Sequence, residues 1–169
     1  MAQKAITIYT PPTATPHINA EDDAQLHRGV LGGSGILMAD NNLALTKVDD
    51  NTVRMASGIF SNQGYLISVQ GGTSIDLAID NGAAGAFRRD LVVAHFTRGG
   101  GETADTHVFE VVKGTEAASA AAAVDPTLTQ NDLSTGGAER QEPVWRVLIS
   151  GTSISGVERV TNFVGNVYQ

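Results

Sequence analysis

The chain has 169 residues, the size of one domain, with 11 Lys and Arg against 18 Asp and Glu and a formal charge of −7. Residues 1–85 hold 4 basic and 8 acidic side chains and residues 86–169 hold 7 and 10, so no basic face exists to neutralise phosphates and nucleic-acid binding is excluded. Cysteine is absent, which removes disulfides, thiolate metal sites and cysteine nucleophiles together.

An apolar share of 41% is too high for a disordered chain, yet 21 of those residues are Ala, a further 19 positions are Gly, and the aromatics are only five Phe, three Tyr and one Trp. Residues 4–9 alternate as a short strand, and Pro11, Pro12 and Pro16 stiffen an extended N-terminal arm over 1–16. Its apolar stretch Ala5–Tyr9 is too short for a signal peptide. The run Ala117–Val124 falls far below the ~20 residues that span a bilayer, so no membrane insertion is expected.

A single β-rich domain is expected over 17–169. Asn19 is placed to cap a helix over about 20–29, with Glu21, Asp22 and Asp23 in its first turn, Leu26 and Val30 as its apolar stripe, and Gly29, Gly32 and Gly33 ending it. From Ile36 onward, short apolar runs separated by Gly, Asn, Asp and Ser predict successive strands at Leu43–Val48, Thr52–Ser57, Gly64–Val69 and Ser74–Ile79. Asp49-Asp50-Asn51, Asn62-Gln63-Gly64 and Asp80-Asn81-Gly82 carry turn chemistry. Phe87–Arg98 is apolar on both faces, which predicts a central strand, and Thr106–Lys113 returns beside it as a hairpin. Residues 114–142, with Ala120 in the alanine-rich part and Pro126 after it, form an extended or partly helical surface arm, because Glu116–Val124 is too short for a stable isolated helix. Val144–Ile149, containing Trp145, and Thr152–Arg159 close the domain. The expected class is mainly β: an antiparallel β-sandwich or jelly-roll-like domain with one short N-terminal helix and extended arms.

The candidate chemistry is sparse. Gly29-Val-Leu-Gly-Gly-Ser-Gly35 follows a helix and lacks a downstream Gly-Lys-Ser/Thr, so it is a helix stop and not a phosphate loop. His17, His27, His95 and His107 lack His-x-His or His-x-x-x-His spacing, and Asp105 alone offers a third ligand to a His95/His107 pair. No Gly-x-Ser-x-Gly occurs, and the carboxylates at 21–23 and 49–50 sit in solvated stretches that would not raise a pKa. No cofactor, metal or catalytic group is therefore assigned, and an enzyme is not expected; a hydrolase using His95 or His107 ranks last. Arg88 and Asp90, two apart on one strand face, are expected to form a structural ion pair ahead of a ligand contact.

The order of segments resembles a family of tailed-bacteriophage and prophage baseplate or tail-appendage structural proteins, which includes tail-fibre and receptor-binding components. The resemblance is carried by His17-Ile-Asn-Ala-Glu-Asp-Asp-Ala-Gln-Leu-His-Arg28 with Gly32-Gly-Ser-Gly-Ile36, by Asn51-Thr-Val-Arg-Met-Ala-Ser-Gly58, by Arg88-Arg-Asp-Leu-Val-Val93, by Phe109-Glu-Val-Val-Lys-Gly-Thr115, and by Val144-Trp-Arg-Val-Leu-Ile149. It departs from the family in the arm, where alanines and Pro126 stand in place of several prolines, and near the end, where Val157-Glu-Arg-Val160 replaces an Asp-x-Arg. The resemblance implies a non-catalytic virion protein of the phage tail tip or baseplate, made in the bacterial cytoplasm. Such a protein assembles as a homo-oligomer, commonly a trimer, and docks to neighbouring tail proteins. The prolines at 11, 12 and 16 and the arm around Ala120 and Pro126 are the expected contacts with neighbouring subunits. The alternative is a carbohydrate- or host-receptor-binding module of a tail fibre, with Tyr9, Phe60, Tyr65, Phe163 and Tyr168 as candidate exposed rings.

Overall fold

The structure is a computed structural model and describes residues 19–165; the strand expected at 4–9 and Pro11, Pro12 and Pro16 lie outside the described residues. Helix α1 (Ala20–Leu31) begins at Asn19, whose side chain accepts from the Asp22 amide while Asp22 accepts from the Asn19 amide, and Gly32 closes it in the left-handed conformation at φ 82°. The expected apolar stripe does not face the domain: Leu26 and Val30 are 58% and 59% exposed, and Ala24 is the buried residue. The reason is backbone proximity. A Cβ on Gly64 would lie 2.0 Å from the Ala24 carbonyl oxygen, so the helix sits too close for large side chains and docks through alanine. His27 and Arg28 complete that face, bonding the Gly64 and Gln63 carbonyls at 2.9 Å each.

The first sheet is built around β3 (Thr52–Asn62). Along one edge of β3 runs β4 (Tyr65–Ala78); along the other, β2 (Leu45–Asp49) covers the first half and β1 (Gly35–Leu37) the second. Gln63 and Gly64, both at positive φ (50° and 92°), make the two-residue turn between β3 and β4. The two strands expected at 64–69 and 74–79 are one strand. Gly71 and Gly72 lie in a bulge between the pairs Gly58↔Val69 and Ala56↔Ser74, after which pairing resumes. The turn expected at Asp80-Asn81-Gly82 falls instead at Ala84-Gly85, within a crossing, residues 79–86, that carries the chain to the second sheet.

There β5 (Phe87–Thr97) is central, paired antiparallel with β6 (Thr106–Val112) and β7 (Glu139–Ser150), and β8 (Ser153–Arg159) pairs with the far edge of β7. The chain then returns to the first sheet, where β9 (Phe163–Val164) lies parallel to β1. Pro143 is tolerated inside β7 because it falls at the register shift opposite Val92 and Val93. The arm is shorter than expected, since Glu139–Glu142 already belong to β7. Ala120 and Pro126 lie within it. The segment turns at Ser119–Ala122, offers the Ala120 carbonyl to Arg89 at 3.4 Å, and ties Asp125 to Arg146. Residues 129–131 pair with 139–141 along the edge of β7.

The result is mainly β, two sheets with one helix near the N-terminus, a β-sandwich-like fold. Ile36, Leu43, Leu45, Val53, Met55, Phe60 and Val69 of the first sheet and its loops meet Val92, Ala94, Val144, Val147, Ile149 and Ile154 of the second. Asn62, fully buried in the first sheet, reaches the Ala94 and Arg140 carbonyls of the second at 3.1 and 3.2 Å. A satellite cluster of Ala24, Tyr65, Phe96 and Leu133 fastens the helix and the end of the arm to the sandwich. No helix among the described residues is long and apolar enough to cross a membrane.

Candidate functional site

Arg88 and Asp90 point inward from the start of β5, each side chain 1% exposed, and form a two-pronged ion pair at 2.8 and 3.0 Å. Charges this deep are tolerable only when every polar atom has a partner. Arg88 also donates to the Asp80 and Asn81 carbonyls at 2.6 and 3.1 Å, and Asp90 accepts the Gly114 amide at 2.9 Å. The pair therefore pins the crossing between the sheets and the start of the arm to the central strand. A Cβ on Gly114 would lie 2.0 Å from the Arg89 carbonyl oxygen, so this junction also depends on glycine. The group is closed on itself and offers no open atom to a ligand.

The hairpin puts His95 and His107 on opposite faces of the sheet, His95 across from Val108 and His107 across from Phe96. They do not converge. On the outward face, the two ring nitrogens of His95 meet Glu110 at 2.7 Å and Glu139 at 2.8 Å. The two glutamates thus engage the ring from either side and fix its orientation. The carboxylates lie on opposite sides of the ring and cannot hold one ion between them. Thr97 Oγ1 lies 3.3 Å from the same Nε2 that faces Glu139, so that nitrogen is not free to act as a base towards the hydroxyl. No group of three or more potential metal ligands is found among the described residues.

His107 faces a cleft of about 260 Å³ between α1 and the ends of β4, β5 and β6, together with Asp23, His27 and Asp105. Its Nε2 is buried without a hydrogen-bond partner. Burial pushes its pKa down to about 4, aided by the charge of His95 and opposed by the Leu66 backbone. An unfolded chain takes up this proton near pH 6.5, and the folded chain does not until about pH 4. Stability is therefore expected to fall as pH drops from 7 to 4, by up to about 3 kcal/mol from this group. Denaturant titrations at successive pH values should show a shallower fall for His107→Phe; equal slopes would contradict the assignment.

Of the rings offered for recognition, Phe60 is fully buried and Tyr65 is 7% exposed, so neither is available on the surface. Both are inward residues of the β3–β4 hairpin. Tyr9 and Tyr168 lie outside the described residues. Phe163 is exposed, and it lines a groove with the half-buried Trp145, which also packs against the core. Comparisons with protein-family models, curated proteins and solved structures give no match. The surface features that sequence patterning missed are thus the outward side of α1, at Leu26 and Val30, and the Trp145–Phe163 groove. The first was hidden because an i, i+4 apolar pair ordinarily marks the buried face. The second joins residues from three separate segments.

Proposed function

We propose that this chain is a structural protein of a phage tail tip or baseplate, working by assembly with copies of itself, a trimer in the first instance, and by docking to neighbouring tail proteins. The reading draws on the order of segments that resembles such proteins and on the β-sandwich-like fold with its long surface arm. The observation that carries it is the outward side of α1. Leu26 and Val30, adjacent on successive turns, are 58% and 59% exposed while the same helix buries only Ala24 and the capping Asp22. In a lone molecule both side chains stay in water, and covering both in an interface contributes about 1–2 kcal/mol each per subunit.

Sedimentation at micromolar concentration should give a species at about three times the 17.6 kDa chain mass. The double variant Leu26→Lys, Val30→Lys should sediment as a monomer with its thermal midpoint in dilute solution unchanged. A wild-type chain sedimenting at the mass of one copy contradicts the reading.

A further inference from the structure

The loop 39–44 between β1 and β2 holds three non-glycine residues in the left-handed region, Asp40 (φ 53°), Asn42 (φ 54°) and Leu43 (φ 51°). Asp and Asn adopt it readily; leucine does so at a cost, and persists only where its surroundings fix it. They do so here. The amides of Asn41 and Leu43 bond the Ser57 carbonyl, the Asn41 side-chain amide donates to Ser57 Oγ at 2.8 Å, and Trp145 Nε1 donates to the Leu43 carbonyl at 2.9 Å. A rigid loop is thereby clamped against the indole. Between them opens a groove of about 370 Å³ lined by Asn41, Asn42, Ala44, Trp145, Arg159 and Phe163.

Arg159 is the unusual member. Its guanidinium lies 4.1 Å over the Phe163 ring, and it makes neither an ion pair nor a hydrogen bond among the described residues. Its neighbour Glu158 is taken by Arg146 at 2.8 Å. The Asn42 side chain likewise carries no hydrogen bond among the described residues. Among the described residues the groove thus combines aromatic surface, an amide without a hydrogen-bond partner and a planar cation without an ion pair, in the size range of about 300–1,000 Å³ typical of small-ligand sites.

We propose that this groove binds a saccharide bearing a carboxylate. The apolar face of a sugar ring packs on the aromatic surface, Asn41 and Asn42 meet hydroxyls, and the guanidinium fork takes the carboxylate in paired hydrogen bonds. The overall charge of −7 does not oppose this at contact distance, because exposed charges beyond about 8 Å are screened at physiological salt and the cation in the groove is local. A neutral sugar would leave Arg159 unsatisfied, and a simple carboxylate would leave the aromatic surface unused.

Trp145 is the only tryptophan, so its fluorescence reports on this groove alone. Titration with galacturonate oligomers and with 3′-sialyllactose, against galactose oligomers and lactose as neutral counterparts, should give a saturable change with at least one acidic sugar and affinity at least about ten-fold lower for its neutral counterpart. Arg159→Gln, a change at an exposed side chain, should abolish that difference, while Phe163→Ala should weaken acidic and neutral sugars alike. Circular dichroism of both variants verifies that they remain folded. The proposal is overturned by no saturable response to either acidic sugar at millimolar concentration, by equal affinity for acidic and neutral sugars, by a response to sodium acetate as strong as that to the acidic sugars, or by undiminished acidic binding in Arg159→Gln.

Discussion

Replacing Arg88 by methionine is expected to lower the unfolding free energy by about 3–5 kcal/mol, because it leaves the fully buried Asp90 carboxylate without its counter-charge. For a domain of this size that corresponds to a fall of roughly 6–20 °C in thermal midpoint. The damage should be local as well. The Asp80 and Asn81 carbonyls lose their donors, so protease cleavage should quicken within residues 79–86 and at the start of the arm before the rest of the chain. The double change Arg88→Met, Asp90→Leu removes both charges and should recover much of the loss, since apolar replacements of a buried pair are often neutral or better. A single variant within about 1 kcal/mol of the parent would show that the pair does not anchor the crossing.

Gly64→Ala is expected to be comparably damaging, for a steric reason. Gly64 sits at φ 92°, and an added Cβ would fall 2.0 Å from the Ala24 carbonyl oxygen, which the helix can relieve only by moving away. Left-handed strain of about 1–2 kcal/mol adds to an overpacking cost of about 1–3 kcal/mol, so a total of about 2–5 kcal/mol is expected. Displacement of α1 also breaks the bonds of His27 and Arg28 to the hairpin. Gly32→Ala is the matched control, because Gly32 has φ 82° with no atom within 4 Å of the added Cβ and should lose only the conformational part. Urea titrations of the two variants, with amide exchange across 20–31, separate the effects. Equal losses would mean that the close helix approach contributes nothing.

How much of this was legible beforehand depended on whether the determining contact was local. Asn19 with Asp22 fixes the start of α1 through atoms three residues apart, and the both-faces apolar pattern of Leu91–Phe96 marks a central strand without knowledge of its partners. The outward turn of Leu26 and Val30 was not legible, because it follows from Gly64, far downstream on the β3–β4 turn, which lets the backbones touch. The Gly71-Gly72 pair fell between two expected strands and is a bulge within one, since the decision lies with Ser57 on the neighbouring strand, where loop 39–44 also docks. Glu139–Glu142 looked like arm because their polar side chains follow a glycine-rich stretch; they are strand because His95 and Phe96 supply a paired edge. The Trp145–Phe163 groove gathers loop 39–44, β7 and the β8–β9 end, so no single stretch of sequence displays it.

The two proposed roles place different demands on the surface. Assembly uses the outward side of α1, and sugar recognition uses the groove beside Trp145, built from residues of neither α1 nor the arm. A variant that loses one property should therefore keep the other, provided the Arg88–Asp90 anchor and the Gly64 contact are intact.

Gold-labelled antibody raised against the purified chain, applied to phage particles released by the strain that encodes it and viewed by electron microscopy, tests the central claim most directly. The account predicts label confined to the distal end of the tail. Unlabelled particles, with all of the chain recovered free of them, would contradict it.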